Sequence, residues 1–325
     1  MSFSTPRAAA THTWVAAVLA LLLTSVVGAA PASAADSWTV APADGEHGDG
    51  RPNFSYVVEP GQQIEDAFVV QNTGDTQLDL AVAVADGFTT PEGVLDLRPL
   101  SEQPTDLGAW VSPEVTEISL APSQRVEIPF TITVPEDATP GDHTGGIVTV
   151  MTTEGTVRLE HRIGSRIHVR VPGEQVVALA ASALEVSQPV QLNPVASGTA
   201  TVRYTVRNDG TVRTLYTERV RVSGPGGVGA VEVVEEVEEI LPGSEIVREV
   251  QVPGVWSLGY SDVSVELVPQ AVDGELADAI SIDGGAWSVP WALVALAVLV
   301  IGVAIAIGVR RGRREPASRP AGPVP

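Results

Sequence analysis

Residues 125–134 read RVEIPFTITV, and this stretch decides the fold class. Its apolar side chains occupy every second position, at Val126, Ile128, Phe130, Ile132 and Val134. Successive side chains of a β-strand point to opposite faces, so the alternation predicts a strand with one face on a hydrophobic core. Residues 78–84, LDLAVAV, have the same period. Turns rich in glycine, proline and asparagine separate such runs across residues 54–268, which is typical of an all-β sandwich.

The pattern occurs twice along the chain. FVVQNTG at residues 68–74 is matched by YTVRNDG at residues 204–210, and LAPS at residues 120–123 is matched by LPGS at residues 241–244. Each Asn-x-Gly marks a turn that closes a strand. We therefore predict two tandem immunoglobulin-like β-sandwiches. The first copy carries an extra stretch, residues 86–113, and loops of that length are usually functional or disordered.

Both ends of the chain carry apolar segments. Residues 1–34 combine one arginine, an apolar run and a final Ala-Ser-Ala, which predicts a secretory signal peptide. Residues 288–309 contain no charge, and as a helix they would span about 33 Å, close to the roughly 30 Å of a membrane core. Arginines follow this segment directly, so the positive-inside rule predicts a cytoplasmic C-terminus.

These features divide the chain into six predicted parts. They are the signal peptide (1–34), a first sandwich (36–171), a second sandwich (172–270), a membrane-proximal linker (271–287), a single transmembrane helix (288–309) and a basic tail (310–325). The predicted location is the cell membrane, with the ectodomain outside the cell.

The predicted ectodomain is strongly acidic. Of the 19 basic residues, all arginine, one lies in the signal peptide and five lie in the tail, while one of the 40 acids lies in the tail. The ectodomain therefore keeps 13 basic and 39 acidic residues, a formal charge of −26. This charge argues against nucleic acid as a partner. The chain has no cysteine, so its domains must be held by hydrophobic cores alone.

The stretch GDHTGG, residues 141–146, places an acid beside one of only five histidines. We expect it to form the turn between two strands, or a ligand contact made by that turn. A catalytic or metal site is the alternative interpretation. Asp142 and His143 are neighbours that point to opposite faces of an extended chain, and further ligands at the usual spacing are missing.

Residues 157–171, VRLEHRIGSRIHVRV, predict a strand with one apolar face and one arginine-rich face. The run is longer than common strands, so Gly164 is expected to bend or split it. Two interpretations of the arginines remain open. Either they pair with the domain's own acids, or Arg158, Arg162 and Arg166 belong to a docking strip for an anionic wall polymer or a partner's carboxylates.

Signatures of catalysis and metal binding are missing from the sequence. It contains no G-x-S-x-G, H-E-x-x-H or S-x-x-K motif. The acid-rich run VEVVEEVEE, residues 231–239, lies in a valine-rich segment, which predicts a solvated edge strand and not a calcium loop. We predict a protein that is not an enzyme and holds neither metal nor cofactor.

Several stretches of the first half resemble the actinobacterial branch of the WxL-interacting protein family. They are YVVEPG (56–61), FVVQNTG (68–74), WVSP (110–113), residues 120–135 and PGDHTGGI (140–147). The resemblance implies a peptidoglycan-binding first domain, a second immunoglobulin-like domain that holds a secreted WxL-type surface protein, and one membrane helix. It implies a wall adaptor without catalytic activity, and it makes Asp142, His143, Gly145 and Gly146 signature positions.

The extra stretch supplies candidate wall contacts. Sugar chains are commonly held by aromatic side chains with nearby hydrogen-bonding groups, which favours Trp110, Phe88 and Thr89. A core position for Trp110 is the alternative. The predicted partners are peptidoglycan or another wall polymer and a WxL-type surface protein. Two other functions compete with the adaptor: a structural spacer or accessory subunit of a membrane complex without wall affinity, and an enzyme acting on wall polymer.

Overall fold

A computed structural model describes residues 37–153, 159–188, 193, 196–257, 259–289 and 291–312. The predicted signal peptide, Arg158 and the end of the basic tail lie outside the described residues. The described chain is all-β, with two sandwiches and a C-terminal apolar helix. The predicted fold class is therefore confirmed.

The first sandwich contains ten strands and a short helix. They are β1 (Trp38–Pro42), β2 (Phe54–Val57), β3 (Gln63–Asn72), β4 (Leu78–Thr89), β5 (Leu95–Leu97), α1 (Leu107–Trp110), β6 (Val111–Pro113), β7 (Glu117–Leu120), β8 (Arg125–Thr133), β9 (Gly141–Thr153) and β10 (Leu159–Val171). One sheet has the order β1-β3-β8-β6, and the other has the order β2-β10-β9-β4-β5 with β7 also paired to β4. Both alternating stretches, in β4 and β8, are strands as predicted.

The second sandwich contains the remaining seven strands. They are β11 (Leu179–Ser187), β12 (Gly198–Asn208), β13 (Thr214–Ser223), β14 (Val231–Ile240), β15 (Glu245–Val255), β16 (Gly259–Ala271) and β17 (Ile280–Ser288). Their sheets have the orders β11-β12-β15 and β14-β13-β16-β17. Strand β14 carries the acid-rich run and lies at a sheet edge, as predicted. Part of the predicted linker is not a linker, because Ile280–Ser288 extends this second sheet.

The two sandwiches share one strand order. The series β1-β3-β8 corresponds to β11-β12-β15, and β7-β4-β9-β10 corresponds to β14-β13-β16-β17. The first sandwich adds β2, which pairs in parallel with β10, and the elements β5, α1 and β6. These last three occupy the extra stretch, which is therefore structured and not a simple loop.

The repeated Asn-x-Gly turns explain why the two copies look alike in sequence. Both asparagines, Asn72 and Asn208, are fully buried. Each side-chain oxygen accepts from the glycine N–H two residues later, at 2.9 Å in both copies. Each side-chain amide donates to backbone carbonyls of the following turn and of a distant strand end: Thr76 and Leu120 for Asn72, and Val212 and Ile240 for Asn208. One buried side chain thus joins three chain segments without a disulfide.

Each sandwich has its own hydrophobic core. The first is built around Phe54, Phe68 and Phe130, with Phe54 and Phe130 meeting edge to face at 5.0 Å. The second is built mostly from valines around the fully buried Tyr204. Helix α2 (Trp291–Gly312) follows β17, and its window Val294–Arg311 is long and apolar enough to be a candidate membrane span.

Candidate functional site

The stretch GDHTGG is the beginning of strand β9 and not a turn. Residues 141–150 are all buried, because β9 runs between β10 and β4 in the middle of its sheet. The expected turn was wrong because these glycines allow neighbouring segments to approach closely and do not reverse the chain. Here they serve a strand that is covered on both faces.

Gly145 and Gly146 are required by the packing of the extra stretch. A Cβ on Gly145 would lie 2.8 Å from the carbonyl oxygen of Ala85, and one on Gly146 would lie 2.8 Å from a methyl group of Leu97. The contact with the Ala85 oxygen is too short for a Cβ, so only glycine lets β4 approach β9 this closely, and at Gly146 a Cβ would also lie 3.0 Å from the carbonyl oxygen of Ser165. Backbone packing accounts for these two signature positions, and neither needs a ligand.

Asp142 lies at the junction of the two sandwiches. Its side chain is only 2% exposed and accepts two hydrogen bonds from Arg170, at 2.7 and 2.8 Å. It also accepts from the backbone N–H of Arg213 in the second sandwich, at 2.8 Å. Arg170 continues to Asp273 of the second sandwich at 2.6 Å. We call Asp142, Arg170, Arg213 and Asp273 the junction cluster.

The junction cluster keeps its charges despite burial. Burial works against ionisation of Asp142, but the hydrogen bonds from Arg170 and Arg213 outweigh it and hold the pKa of this carboxyl below its usual value. Next to it, Gly141 has φ 136° and lies against the carbonyl of Thr211, which accepts from the Asp142 N–H at 2.8 Å. The PGDHTGGI signature therefore joins one domain to the other.

His143 points to the opposite face from Asp142, as the alternation predicted. Its Nδ1 donates to Asp106 at 2.5 Å and its Nε2 donates to the carbonyl oxygen of Thr139 at 2.9 Å. The ring of Trp110 lies 4.5 Å from the imidazole ring, centroid to centroid. Because both ring nitrogens face acceptors, the doubly protonated imidazolium satisfies both hydrogen bonds. His143 thereby holds α1, and Asp106 directly before it, against β9.

The charge on His143 follows from these contacts. Burial lowers the pKa of His143, but the hydrogen bonds to Asp106 and Thr139 outweigh it and raise the pKa above its usual value. His168, on the neighbouring strand, behaves in the opposite way. Burial and the nearby Arg213 and Arg166 guanidinium groups lower the pKa of His168 to about 4, so it is neutral.

The free energy of unfolding of the wild-type chain is expected to fall at alkaline pH. Replacing His143 with glutamine should abolish this fall. A raised folded-state pKa gives stability that is fully present below the unfolded value of about 6.5 and is lost as pH rises through the folded pKa. Urea unfolding of the detergent-solubilised full chain from pH 6 to 9 measures this. His161→Gln, at an exposed position, is the matched control. Equal pH slopes for wild type and His143→Gln would contradict the assignment.

A cleft of about 460 Å³ opens beside the junction. Asp106, Thr139 and His143 line it from the first sandwich, and Thr211 and Pro242 line it from the second. Within the described part of the chain, no group of three or more His, Asp or Glu side chains is arranged to hold a metal ion. Asp142 and His143 are committed to internal contacts, which favours a structural over a catalytic role for the pair.

A second concavity, of about 210 Å³, lies on the outer face of the first sandwich, and we call it the arginine pocket. Arg162 and Arg166 of β10 line one side, and Arg98 of the extra stretch lines another. Apolar side chains including Leu95, Leu97 and Val148 complete it, together with Asp96, whose carboxylate accepts from the Leu97 N–H at 2.7 Å. The pocket therefore combines apolar walls with three arginines, of which Arg98 pairs with Glu102 at 3.5 Å and Arg162 pairs with Glu160 at 2.8 Å.

The arginine strip divides into two parts with different partners. Arg170 is half-buried in the junction cluster, so the internal-pairing interpretation holds for it. Arg162 meets Glu160 at 2.8 Å on the surface, while Arg166 is exposed and forms no ion pair with any described residue. The expected split of the strand at Gly164 was wrong, since β10 pairs with β9 without a register shift from Leu159 to Val171.

The three candidate sugar contacts do not form one platform. Thr89 is buried, and its hydroxyl and N–H contact Leu241 and Ser244 of the second sandwich, at 3.1 and 3.2 Å. Phe88 lies beneath the Arg98 guanidinium, 5.4 Å from ring centroid to Cζ. Trp110 is half-buried against His143 and the core. Thr89 is thus an interdomain residue, and Phe88 supports an arginine of the pocket.

The sequence interpretation missed two residues that organise these sites. Asp86 is buried and accepts backbone hydrogen bonds from Thr105, Asp106 and Gly108 at 2.7–3.1 Å, which fixes the start of α1. Arg98 was one of thirteen ectodomain arginines without a distinguishing motif. The only signal for Asp86 in the sequence was an acidic residue at the end of an alternating strand.

The fold and the sites define a two-domain, all-β protein of the immunoglobulin-like class with a C-terminal candidate membrane helix. Residues 43–150 match the family model described as WxL Interacting Protein, peptidoglycan binding domain. The first sandwich is therefore similar to this family of domains over residues 43–150, as the sequence resemblance indicated. The match includes β2 to β8, the extra stretch and most of β9, and with them Arg98 and the apolar wall of the arginine pocket, whereas Arg162 and Arg166 lie beyond it on β10.

Solved structures show distant similarity to about three quarters of the chain. A chaperone–tip adhesin complex of CFA/I fimbriae has 12% identity and a TM-score of 0.38, covering 76% of this chain and 98% of that chain. The class 5 fimbrial chaperone CfaA has 12% identity and a TM-score of 0.34, covering 78% and 100%. The E. coli chaperone DraB has 14% identity and a TM-score of 0.33, covering 76% and 98%. These similarities carry no argument about function. No curated protein matches the sequence.

Proposed function

We propose that this protein is a membrane-anchored cell-surface adaptor that binds the cell wall through its first sandwich and another surface protein through its second. The observation that carries the proposal is the match of residues 43–150 to the model of a peptidoglycan-binding domain. Internal contacts occupy the side chains that first suggested chemistry, Asp142 and His143, which supports a binding role without catalysis.

The membrane topology follows from the charge distribution. The last turn of helix α2 contains Arg310 and Arg311, and three more arginines follow in the sequence. The positive-inside rule favours a cytoplasmic position for these residues. Both sandwiches then stand outside the membrane beside the wall, delivered there by the predicted signal peptide. A secreted WxL-type protein is the partner that the family resemblance implies for the second sandwich.

We propose the arginine pocket as the wall contact. Its volume is below the roughly 300 Å³ of pockets for drug-sized ligands, so it fits one small group of a polymer. Guanidinium groups bind carboxylates and phosphates strongly, and wall polymers carry both kinds of anion. In an ectodomain with a formal charge of −26, a pocket lined by three arginines gives an anionic chain one of its few favourable approaches.

Replacing Arg166 with alanine is expected to weaken wall binding about tenfold. A hydrogen bond to a charged group contributes about 1.5–3 kcal/mol, and 1.4 kcal/mol corresponds to a factor of ten. Co-sedimentation of the detergent-solubilised full chain with purified sacculi measures this. Arg203→Ala is the matched control, because Arg203 is an exposed arginine of the second sandwich that forms no ion pair among the described residues. Arg166→Lys should retain part of the binding.

Two further outcomes separate the alternatives. Sacculi stripped of phosphodiester-linked polymers with hydrofluoric acid should still bind if the ligand is a peptidoglycan carboxylate, and should lose binding if it is a polymer phosphate. Equal binding by Arg166→Ala and wild type would remove the arginine pocket from the proposal. Wild-type protein that stays in the supernatant but co-purifies with a membrane complex would favour the spacer or accessory subunit.

A further inference from the structure

We propose that the open edge of strand β17 is a docking site for an extended segment of another surface protein, which pairs with β17 as an added parallel strand. The inference rests on the adaptor function proposed above and supplies the place and the manner of partner binding.

Strands β10 and β17 are equivalent. Each pairs antiparallel with the strand before it, and each ends opposite that strand's first residue, Val171 opposite Gly141 and Ser288 opposite Gly259. In the first sandwich the outer edge of β10 is covered by β2, with Phe54 opposite Ile167 and Val57 opposite Arg170. Among the described strands, none pairs with the outer edge of β17. The second sandwich therefore lacks the strand that completes the first.

The register of β2 on β10 indicates which residues of β17 an added strand would pair with. Counting back from the aligned ends, residues 167–170 of β10 correspond to residues 284–287 of β17, which read GGAW. The carbonyl of Arg170 accepts from the N–H of Val58 at 3.0 Å, so the backbone groups of Arg170 point toward β2. The equivalent residue is Trp287, and directions alternate along a strand. Asp283, Gly285 and Trp287 therefore turn their N–H and C=O groups toward the open edge.

The other edges of the second sandwich are protected against strand pairing. Strand β11 carries a bulge between Ser182 and Glu185, β14 carries its row of glutamates, and the N–H of Val247 in β15 donates to the carbonyl of Pro91 in the first sandwich at 2.7 Å. Bulges, charges and covering segments are the usual means of blocking an edge. Strand β17 pairs without a bulge and contains neither proline nor a basic residue. Among the described edges of the second sandwich, the edge of β17 is the one without such protection.

The surroundings of β17 specify the partner's chemistry. Leu184 packs against Gly284 from the opposite sheet, so the inward-facing residues of an added strand must be small at that point. Trp287 is 81% exposed, which offers an apolar surface to an outward-facing side chain. The formal charge of −26 favours a neutral or basic partner and disfavours a second copy of this chain. Strand addition at an exposed sheet edge is a recurring mode of recognition.

Cross-linking in the native membrane tests this. A photoreactive amino acid is placed in the full chain at Asp283 or at Trp287, and the cross-linked sequences are identified by mass spectrometry. The expected result is one other protein, with the adduct from position 287 about four residues C-terminal to the adduct from position 283, as parallel pairing requires. A photoreactive group at Glu235, on the edge of β14, should not reach that segment.

A backbone variant tests the hydrogen bonds themselves. Asp283→Pro removes an N–H that points to the open edge and should lower the adduct yield from position 287 about tenfold, while Asp283→Asn should not. Sacculus sedimentation of Asp283→Pro confirms that the first sandwich is intact and reports separately on wall binding. Adducts with a second copy of this chain, with lipid alone, or in antiparallel order would overturn the proposal.

Discussion

Replacing Asp142 with alanine is expected to lower the free energy of unfolding by about 3–5 kcal/mol, because it breaks a buried ion pair and leaves Arg170 with only the partly exposed Asp273 as an acidic partner among the described residues. Arg170 and the backbone N–H of Arg213 both donate to this carboxylate, whose side chain is 2% exposed. The substitution removes hydrogen bonds within the first sandwich and also the bond that reaches the second. We expect the two sandwiches of Asp142→Ala to unfold at more widely separated urea concentrations than in the wild-type chain.

A surface ion pair provides the control for Asp142. Glu266 meets Arg219 at 2.6 Å, a distance similar to that in the junction cluster, but both side chains are well exposed. Exposed pairs contribute about 0–1 kcal/mol, so Glu266→Ala should change stability little. Urea unfolding of the full chain in detergent, followed by tryptophan fluorescence, compares the two variants. Equal effects would show that the junction cluster does not join the domains.

The architecture could be predicted because its signals are local. The alternation in β4 and β8 states which face of each strand is buried, and the buried Asn72 and Asn208 mark the same turn in both copies. A strand period and a turn motif each lie within about ten residues of sequence. No pairing between distant segments has to be known before they can be recognised.

The site could be predicted only in part, because its contacts join distant segments. Asp142 was singled out as a candidate ligand residue, but its partner Arg213 lies 71 positions away in the other domain. Arg166 was identified as a docking residue, whereas Arg98 joins the same pocket through the folding of the extra stretch. Periodicity predicts which face of a strand a side chain occupies, but it does not predict which segment covers that face. The junction cluster and the arginine pocket both depend on the covering segment.

The same limit explains the interpretation of GDHTGG. Three glycines in six residues indicate a turn when nothing is known of the neighbours. In the fold, Gly145 and Gly146 lie beneath β4 and Leu97, and Gly141 lies beneath Thr211 of the second sandwich. Close approach to neighbouring segments, and not a reversal of direction, is the reason for these glycines. A close approach and a turn both require glycine, so the sequence alone does not distinguish them.

Replacing Arg248 with alanine is expected to destabilise the second sandwich by about 3–5 kcal/mol. Its guanidinium donates to Glu218, which is fully buried, with Nε at 3.1 Å from Oε2. The hydroxyl of Tyr204 also donates to this carboxylate, and burial together with that hydrogen bond raises the pKa of Tyr204, so the hydroxyl stays protonated. Without Arg248, the Glu218 carboxylate retains a neutral donor, the Tyr204 hydroxyl, in the middle of a valine-rich core.

Two comparisons make the Arg248 prediction specific. Arg219→Ala removes an arginine that pairs with Glu232 and Glu266 on the exposed face of the same sandwich, and it should cost less than about 1 kcal/mol. The double variant Glu218→Met with Arg248→Met removes both charges and should recover most of the stability lost in Arg248→Ala, because no unpaired charge remains buried. Urea unfolding measures all four proteins. If the double variant is less stable than Arg248→Ala, the penalty arises from lost packing and not from the buried charge.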